Sequence, residues 1–390
     1  MITRTILNEL RQSANDYPVV TLLGPRQAGK TTLARLAFAE YNYCNLENPE
    51  LRSLAQNDPN ALFYKFPGHC IFDEIQRVPE LLSYIQVKVD ENEIKGQYIL
   101  TGSHQLQLHQ SIAQSLAGRT ALLKLMPLSM HELSEHGISQ NQYEFMLKGF
   151  LPRIYKDNLN STKTYRNYYE TYIERDVRQL IHLKELASFE KFLKLLAGRA
   201  GQIINFSSLA SDAGVSSNTL KNWLSVLEAS FIVFKLEPYF ENFGKRVIKS
   251  PKIYFTDTGL LCYLLGIENI KQLQRDPLIG NIFENLVVTE ALKARLNQGM
   301  NPNLFYFRTT KGTEIDLIYK RGKDLIPIEI KSSMTFHQGF VKGINNFKAM
   351  TDLAINGYVI YAGDLTYQSA NYSLINFINT SEIFSTDKII

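Results

Sequence analysis

Short apolar runs in this chain are followed by segments whose apolar positions recur at helical spacing. "YPVVTLLGPRQAGKTTLARLAF" opens with a run, Val19 to Leu23, that reads as a buried strand, then gives a tight loop and an amphipathic helix from Thr31. Ahead of it, Ile2, Ile6, Leu7 and Leu10 fall at helical spacing. "HCIFDEIQ" and "GQYILTGSHQ" supply two more strands, with Ile71 and Phe72 buried in the first. Residues 131–200 read as helices, in which Tyr165, Tyr168, Tyr169 and Tyr172 form one stripe at i, i+3, i+4 and i+7. A stripe of that kind is read as core rather than as a platform for stacking bases.

The pattern then changes. In "NFSSLASDAGVSSNTLKNWLSVLEASFIVFKLEPY", Ser207 or Ser208 caps a short helix, Gly214 makes a turn, and Ser216 or Ser217 caps a second helix through Glu228. An apolar strand follows from Phe231 to Leu236. With "KIYFTD" as its return strand, the segment predicts a helix-turn-helix with a wing. The second helix would offer Ser217, Asn218, Lys221 and Asn222 to a major groove, and "FGKRVIKSPK" adds Lys245, Arg246, Lys249 and Lys252 for phosphates. Winged helices also serve as protein docking modules.

"GTEIDLIYKRGKDLIPIEIKS", residues 312–332, reads as two strands joined by a turn. Asp316, Glu329 and Lys331 alternate there with Ile315, Leu317, Ile328 and Ile330, so the charges share a face. Two readings compete: an edge hairpin with one wet side, and a metal-dependent site. Upstream, "GNIFENLVVTEALKARL" is a helix with Glu284 on its apolar side, because Val287, Val288 and Ala291 share that face. A charge there needs a reason. With Glu284 included, the carboxylates read as a metal constellation.

Composition narrows the class. A chain of 390 residues with 45% hydrophobic content is globular and holds two or three domains. Net charge is only +4, and residues 151–205, with ten Lys/Arg against six Asp/Glu, hold an excess of that same size. Such a band suits a phosphate backbone or a solvated helix face. Cys44, Cys70 and Cys262 lie far apart without C-x-x-C spacing, which fits a reducing cytoplasm and argues against a cysteine zinc site. The start of the chain lacks the apolar core of a signal peptide, and runs such as "LLCYLLGI" are too short to span a bilayer. A cytoplasmic protein without membrane association is expected.

The loop is G-x-x-x-x-G-K-T from Gly24 to Thr31. Its backbone N–H groups can curl around phosphates, and the following helix adds its positive end. Gly24, Pro25, Arg26, Gln27, Ala28, Gly29, Lys30, Thr31 and Thr32 are therefore the expected ATP-binding residues. Lys30 reaches the β- and γ-phosphates and Thr31 offers a hydroxyl to Mg²⁺. At the end of the next strand Asp73 holds Mg²⁺ and Glu74 polarises the attacking water. Ser103, with Thr101 next, ends a neighbouring strand and senses the γ-phosphate. Arg119, after "SLAG", reads either as an arginine finger in cis or in trans or as an ordinary salt bridge.

Taken together, "GPRQAGKTTL", "DEIQRVPELL", "LTGS", "SLAGR", "YIERDV", "YFTDTGLLCYLLG", "GNIFENLVV" and "FRTTKGTEIDLIY" resemble bacterial and archaeal AAA-type predicted ATPases with a C-terminal domain of unknown function, DUF4143. The family's usual Gly-Gly-x-Pro stretch appears here as Lys148-Gly149-Phe150-Leu151-Pro152, with the proline displaced. The order of Glu284, Asp316, Glu329 and Lys331 is similar to the PD-(D/E)-x-K nuclease fold. There acids from a helix and two strands hold a divalent metal while the lysine orients water or stabilises developing charge.

The expected fold class is α/β: a P-loop AAA-type ATPase domain over 1–135, a helical connector over 136–205, a winged helix over 206–268 and a restriction-endonuclease-like domain over 269–390. The expected function is ATP binding and hydrolysis coupled to nucleic acid, with DNA favoured, and to metal-dependent cleavage. Mg²⁺ is expected at Thr31 and Asp73, and Mg²⁺ or Mn²⁺ at Glu284, Asp316 and Glu329. The alternative is an ATPase switch or defence NTPase whose nuclease-like domain is inactive and docks protein or DNA. A homo-oligomer or protein partner fits either reading.

Overall fold

The computed structural model describes residues 2–92, 94–103, 115–177, 186–240 and 247–385. Its first layer is a five-stranded sheet of β1 (Val19–Leu23), β2 (Asn42–Asn45), β3 (Cys70–Asp73), β4 (Tyr98–Gly102) and β5 (Thr120–Lys124), in the order β2-β3-β4-β1-β5. Every pairing is parallel, and Leu23 lies opposite Gly102 and Lys124. β1, β3 and β4 are buried along their whole length, as central strands of a parallel sheet must be. Parallel register sends the C-terminal ends of β1, β3 and β4 to one edge. The Gly24 loop, Asp73 and Ser103 therefore meet there, where ligands bind in open α/β sheets.

Beyond the sheet, Tyr165, Tyr168 and Tyr172 are buried in the same apolar core as the strands, so the tyrosine stripe packs. Tyr172 still serves a junction: its ring lies under the Arg26 guanidinium of the phosphate loop (5.3 Å) and its hydroxyl donates to Ser230 O (3.2 Å). The Gly149 stretch is another junction. A Cβ there would lie 2.1 Å from the Tyr165 hydroxyl and 2.3 Å from Asp257 Oδ1, so only glycine fits. Asp257 accepts from Tyr165 (2.6 Å) and Phe150 N (2.9 Å), while Pro152 opens a short helix at its first turn.

Helices Phe206–Ala213 and Ser217–Ala229 are joined at Gly214 and followed by an antiparallel ribbon of β6 (Val233–Leu236) and β7 (Lys252–Phe255). The first helix is capped by Asn205, whose side chain accepts from Ser208 N (3.0 Å). That corrects the expected Ser207 or Ser208 cap: an asparagine further back offers an equally good acceptor. Ser216 caps the second helix as expected. Lys245 and Arg246 lie outside the described residues.

The last layer is a six-stranded sheet of β8 (Leu304–Arg308), β9 (Glu314–Arg321), β10 (Asp324–Lys331), β11 (Gly357–Tyr361), β12 (Tyr367–Gln368) and β13 (Tyr372–Asn376), in the order β12-β13-β11-β10-β9-β8. β9 and β10 form the expected hairpin, with Asp324 opposite Arg321. The edge reading of that hairpin fails. β10 pairs with β11 on its far side, and its residues Leu325 to Ile330 are all buried. The long helix Ile279–Leu296 packs on this sheet and also on β7. It is buried on nearly every side from Ile282 to Leu296, with Glu290 and Lys293 among the covered residues. One apolar core runs through all these layers, from Val19 to Phe384.

Candidate functional site

Gly24 leaves β1 at φ +154°, and a Cβ there would strike the Leu125 carbonyl oxygen at 2.0 Å. The loop can pass only as glycine, and it then delivers Lys30 to the start of the helix Lys30–Ala37. The Lys30 amine is buried and donates to the carbonyls of Gly24 (2.9 Å) and Pro25 (2.8 Å). Burial pushes its pKa down to about 8, against the attraction of Glu74 and Asp73. A buried cation hydrogen-bonded to the loop's own carbonyls fits an anion at this place. Among the other loop residues, Pro25 and Ala28 are buried, Arg26 reaches Tyr172, and Gln27 and Thr32 are exposed.

Thr31 Oγ1 donates to the Asp73 carboxylate, at 2.9 Å from Oδ1 and 3.1 Å from Oδ2. Tyr43 donates to Asp73 Oδ2 (2.7 Å) and Thr101 to Oδ1. A hydroxyl and a carboxylate placed side by side are the hard oxygens that suit Mg²⁺, so the residues fit that ion. Glu74 follows in the left-handed region at φ +59°, a conformation that costs a non-glycine residue about 1–3 kcal/mol. The strain turns its carboxylate to Ser103, whose hydroxyl donates at 3.3 Å, and to the Gln76 amide. Gln76 also donates to Ser103 Oγ (3.1 Å). The structure thus gathers Lys30, Thr31, Asp73, Glu74 and Ser103 at one sheet edge.

Arg119 is not among them. It lies just ahead of β5, where its carbonyl accepts from Val19 N at the start of β1. That is roughly 15 Å from the loop along the strand. Its guanidinium clasps Asp90 through two bonds (2.5 and 2.9 Å) near solvent. The finger in cis is therefore corrected to a salt bridge.

Sequence reading missed Arg4 and Gln76. Arg4 is buried under the loop, donating to Ala28 O (2.8 Å), Met126 O (2.6 Å) and Glu132 Oε1 (3.1 Å). The fragment "DEIQ" did hold Gln76, two residues after the acid it orients.

The C-terminal charges also converge, on two lysine amines. Lys331 donates to Asp316 Oδ2 (2.9 Å) and Glu329 Oε2 (2.6 Å). Glu284 accepts from Lys252 (3.0 Å) and Tyr254 (2.6 Å), and Lys252 also pairs with Glu314 (3.0 Å). Asp316 is held below the usual carboxylate range: burial raises it, but Lys331 and Lys252 outweigh that. Burial and the adjacent Asp316 push Glu329 up to about 8. Among the described residues no three acids, histidines or cysteines are grouped to hold a metal ion. The structure sets Glu284, Asp316 and Glu329, the expected metal ligands, in an ion-paired cluster in which Lys252 and Lys331 supply the positive charge. Lys252, expected over phosphates, is 3% exposed and belongs to this cluster. Glu314, two residues before Asp316 on the same strand face, was legible from the alternation.

The AAA domain family matches residues 16–134, a domain of unknown function (DUF8612) matches 139–271, and the domain of unknown function DUF4143 matches 279–382. An uncharacterized protein of Mycobacterium tuberculosis is 35% identical over 331 residues, covering 84% of this chain and 73% of its own length. The chain belongs to the AAA-type ATPases with a C-terminal DUF4143 domain. Further relatives of this family are uncharacterized proteins of Haemophilus influenzae (22% identity, 85% and 86% of the two chains) and Methanocaldococcus jannaschii (23%, 90% and 83%). Solved structures similar to it include a Walker-type ATPase of Pyrococcus abyssi (TM-score 0.44, 16% identity, 68% and 96% of the two chains). AMPPCP-bound DnaA from Aquifex aeolicus is more distant (TM-score 0.29, 12%, 57% and 86%). Among the described residues no helix is long and apolar enough to cross a membrane.

The ion-paired cluster makes a stability prediction. Lys252→Met strands Glu284 in the interior, so thermal or urea denaturation should show a loss of about 3–5 kcal/mol. Lys331→Met should cost less, because that amine is 30% exposed.

Proposed function

We propose that this chain hydrolyses MgATP at the Gly24–Thr31 loop and that the nucleotide state governs its engagement of nucleic acid, with duplex DNA as the favoured partner. The observation that carries the reading is the Thr31–Asp73 contact with Glu74, Ser103 and Gln76 beside it. Lys30 and the loop N–H groups bind the β- and γ-phosphates. Thr31 and Asp73 would hold Mg²⁺, which when bound would supply positive charge against that developing on the transferred phosphoryl group. Glu74 accepts the hydrogen bond of the attacking water and is itself oriented by Ser103 and Gln76. Because Arg119 is too far from its own loop, an arginine finger at this position has to serve a second copy of the chain.

For nucleic acid, the helices Phe206–Ala213 and Ser217–Ala229 with the β6–β7 ribbon are read as a winged helix. Support comes from the outer side of the second helix, where Asn218, Lys221 and Asn222 are exposed and Ser217 is half-buried. The six-stranded domain is read as nuclease-like in architecture and as a docking module in use. Supporting this is the pairing of Asp316, Glu329 and Glu284 with lysines.

Two experiments test the proposal. Glu74→Gln should keep ATP affinity and lower turnover by about 10²–10⁴-fold, since an amide cannot take a proton from water. Lys30→Ala should lose binding itself. Wild-type turnover in Glu74→Gln would remove Glu74 from the mechanism. For the winged helix, labelled duplex titrated at two salt concentrations should bind more weakly at the higher one, because neutralised phosphates release counterions. Binding that is absent or indifferent to salt would favour docking on protein.

A further inference from the structure

The segment that leaves β5, Leu125 to Met130, is gripped from two sides by buried charge. On one side lies the phosphate loop. Leu125 N donates to Leu23 O (2.7 Å), and the Leu125 carbonyl fills the space where a side chain on Gly24 would be. The Arg4 guanidinium bridges Ala28 O of the loop to Met126 O and to Glu132, and Glu132 also accepts from Thr5 N (2.8 Å) and Ser129 N (2.9 Å). On the other side lies the long helix Ile279–Leu296. Its Glu290 accepts from Met130 N (2.7 Å), and its Lys293 donates to Leu128 O (2.8 Å) and to Glu290 (2.7 Å).

Arg4, Glu132, Glu290 and Lys293 are 8%, 0%, 1% and 1% exposed. Two ion pairs this deep gain little over apolar packing of the same volume. Most of their hydrogen bonds to backbone go to one short segment. That segment meets the phosphate loop at Gly24 and is linked to Ala28 through Arg4. It also touches the helix whose earlier turns carry Glu284 of the C-terminal cluster.

We infer that Arg4 is a positioning residue for the phosphate loop, and that Arg4–Glu132 and Glu290–Lys293 together transmit the loop's nucleotide-bound shape through residues 125–130 to the helix Ile279–Leu296. The inference rests on the proposed ATP binding at that loop and adds how the C-terminal domain feels it. An anion that draws the loop N–H groups inward moves Ala28, and Ala28 O is fixed to Met126 through a planar guanidinium that cannot stretch. Lysine at position 4 keeps the charge but cannot bridge three acceptors in one plane.

The test is hydrogen exchange of the full chain with and without Mg²⁺ and a non-hydrolysable ATP analogue, with ATP affinity measured alongside. In the wild type, protection should rise in the loop, in 125–130 and in 279–296. Arg4→Lys should weaken ATP affinity on the order of tenfold, the worth of a lost charge-assisted hydrogen bond, and should lose the added protection in 279–296. Glu290→Gln with Lys293→Met should keep wild-type affinity and loop protection yet lose the response of 279–296. That second variant keeps the test decisive if Arg4→Lys folds poorly. Loop protection in the wild type without any change in 279–296 would overturn the inference. So would an unaltered response in the double variant. No protection of the loop itself would overturn the ATP reading instead, and the inference with it.

Discussion

A charge taken out of water costs several kcal/mol unless another charge or a set of hydrogen bonds meets it. That constraint organises this chain. Lys30 is buried among the carbonyls of its own loop, Arg4 with Glu132 lies beneath that loop, Glu290 with Lys293 sits in the long helix, and Lys252 joins the ribbon to that helix through Glu284 and to the last sheet through Glu314. The Glu290–Lys293 and Lys252–Glu284 pairs stand where two modules meet. One apolar core supplies the bulk of the stabilisation there, and the charges fix which backbone groups face one another.

The same constraint explains why the two carboxylate sites differ. Asp73 receives neutral donors, from Thr31, Thr101 and Tyr43. Its negative charge is shared with a nearby lysine that serves the loop, so it suits a cation and phosphates. Asp316 and Glu329 receive the Lys331 amine directly. Four acids in that cluster, Glu284, Glu314, Asp316 and Glu329, are set against Lys252, Lys331 and Arg308, and burial beside Asp316 pushes the Glu329 pKa up. The cluster is close to balanced as it stands.

What could be read from the chain were features whose signal is local. The strand–loop–helix around Gly24, the acid pair after β3, the Gly214 turn and the β9–β10 hairpin all carry their chemistry within about twenty residues. The partners of a buried charge are not local. Arg4 lies 128 positions from Glu132, and Lys252 lies 32 from Glu284. No spacing rule links such pairs, so Lys252 looked like a phosphate contact and Arg4 like part of an amphipathic start. Glu290 and Lys293 are nearer, at i and i+3, but that spacing alone does not show that the helix around them is buried. Arg119 failed for a topological reason: a residue just ahead of a parallel strand faces away from the edge where loops gather.

The account joins a nucleotide loop, a winged-helix reading of the middle and an ion-paired C-terminal sheet through one continuous core. Its central claim is that ATP turnover at the loop answers to nucleic acid. Steady-state ATP hydrolysis by the full chain, measured with no polymer, with duplex DNA and with RNA, tests that claim most directly. The account predicts Mg²⁺-dependent turnover whose rate shifts on adding duplex DNA. One rate under all three conditions, or no turnover in any, would contradict it.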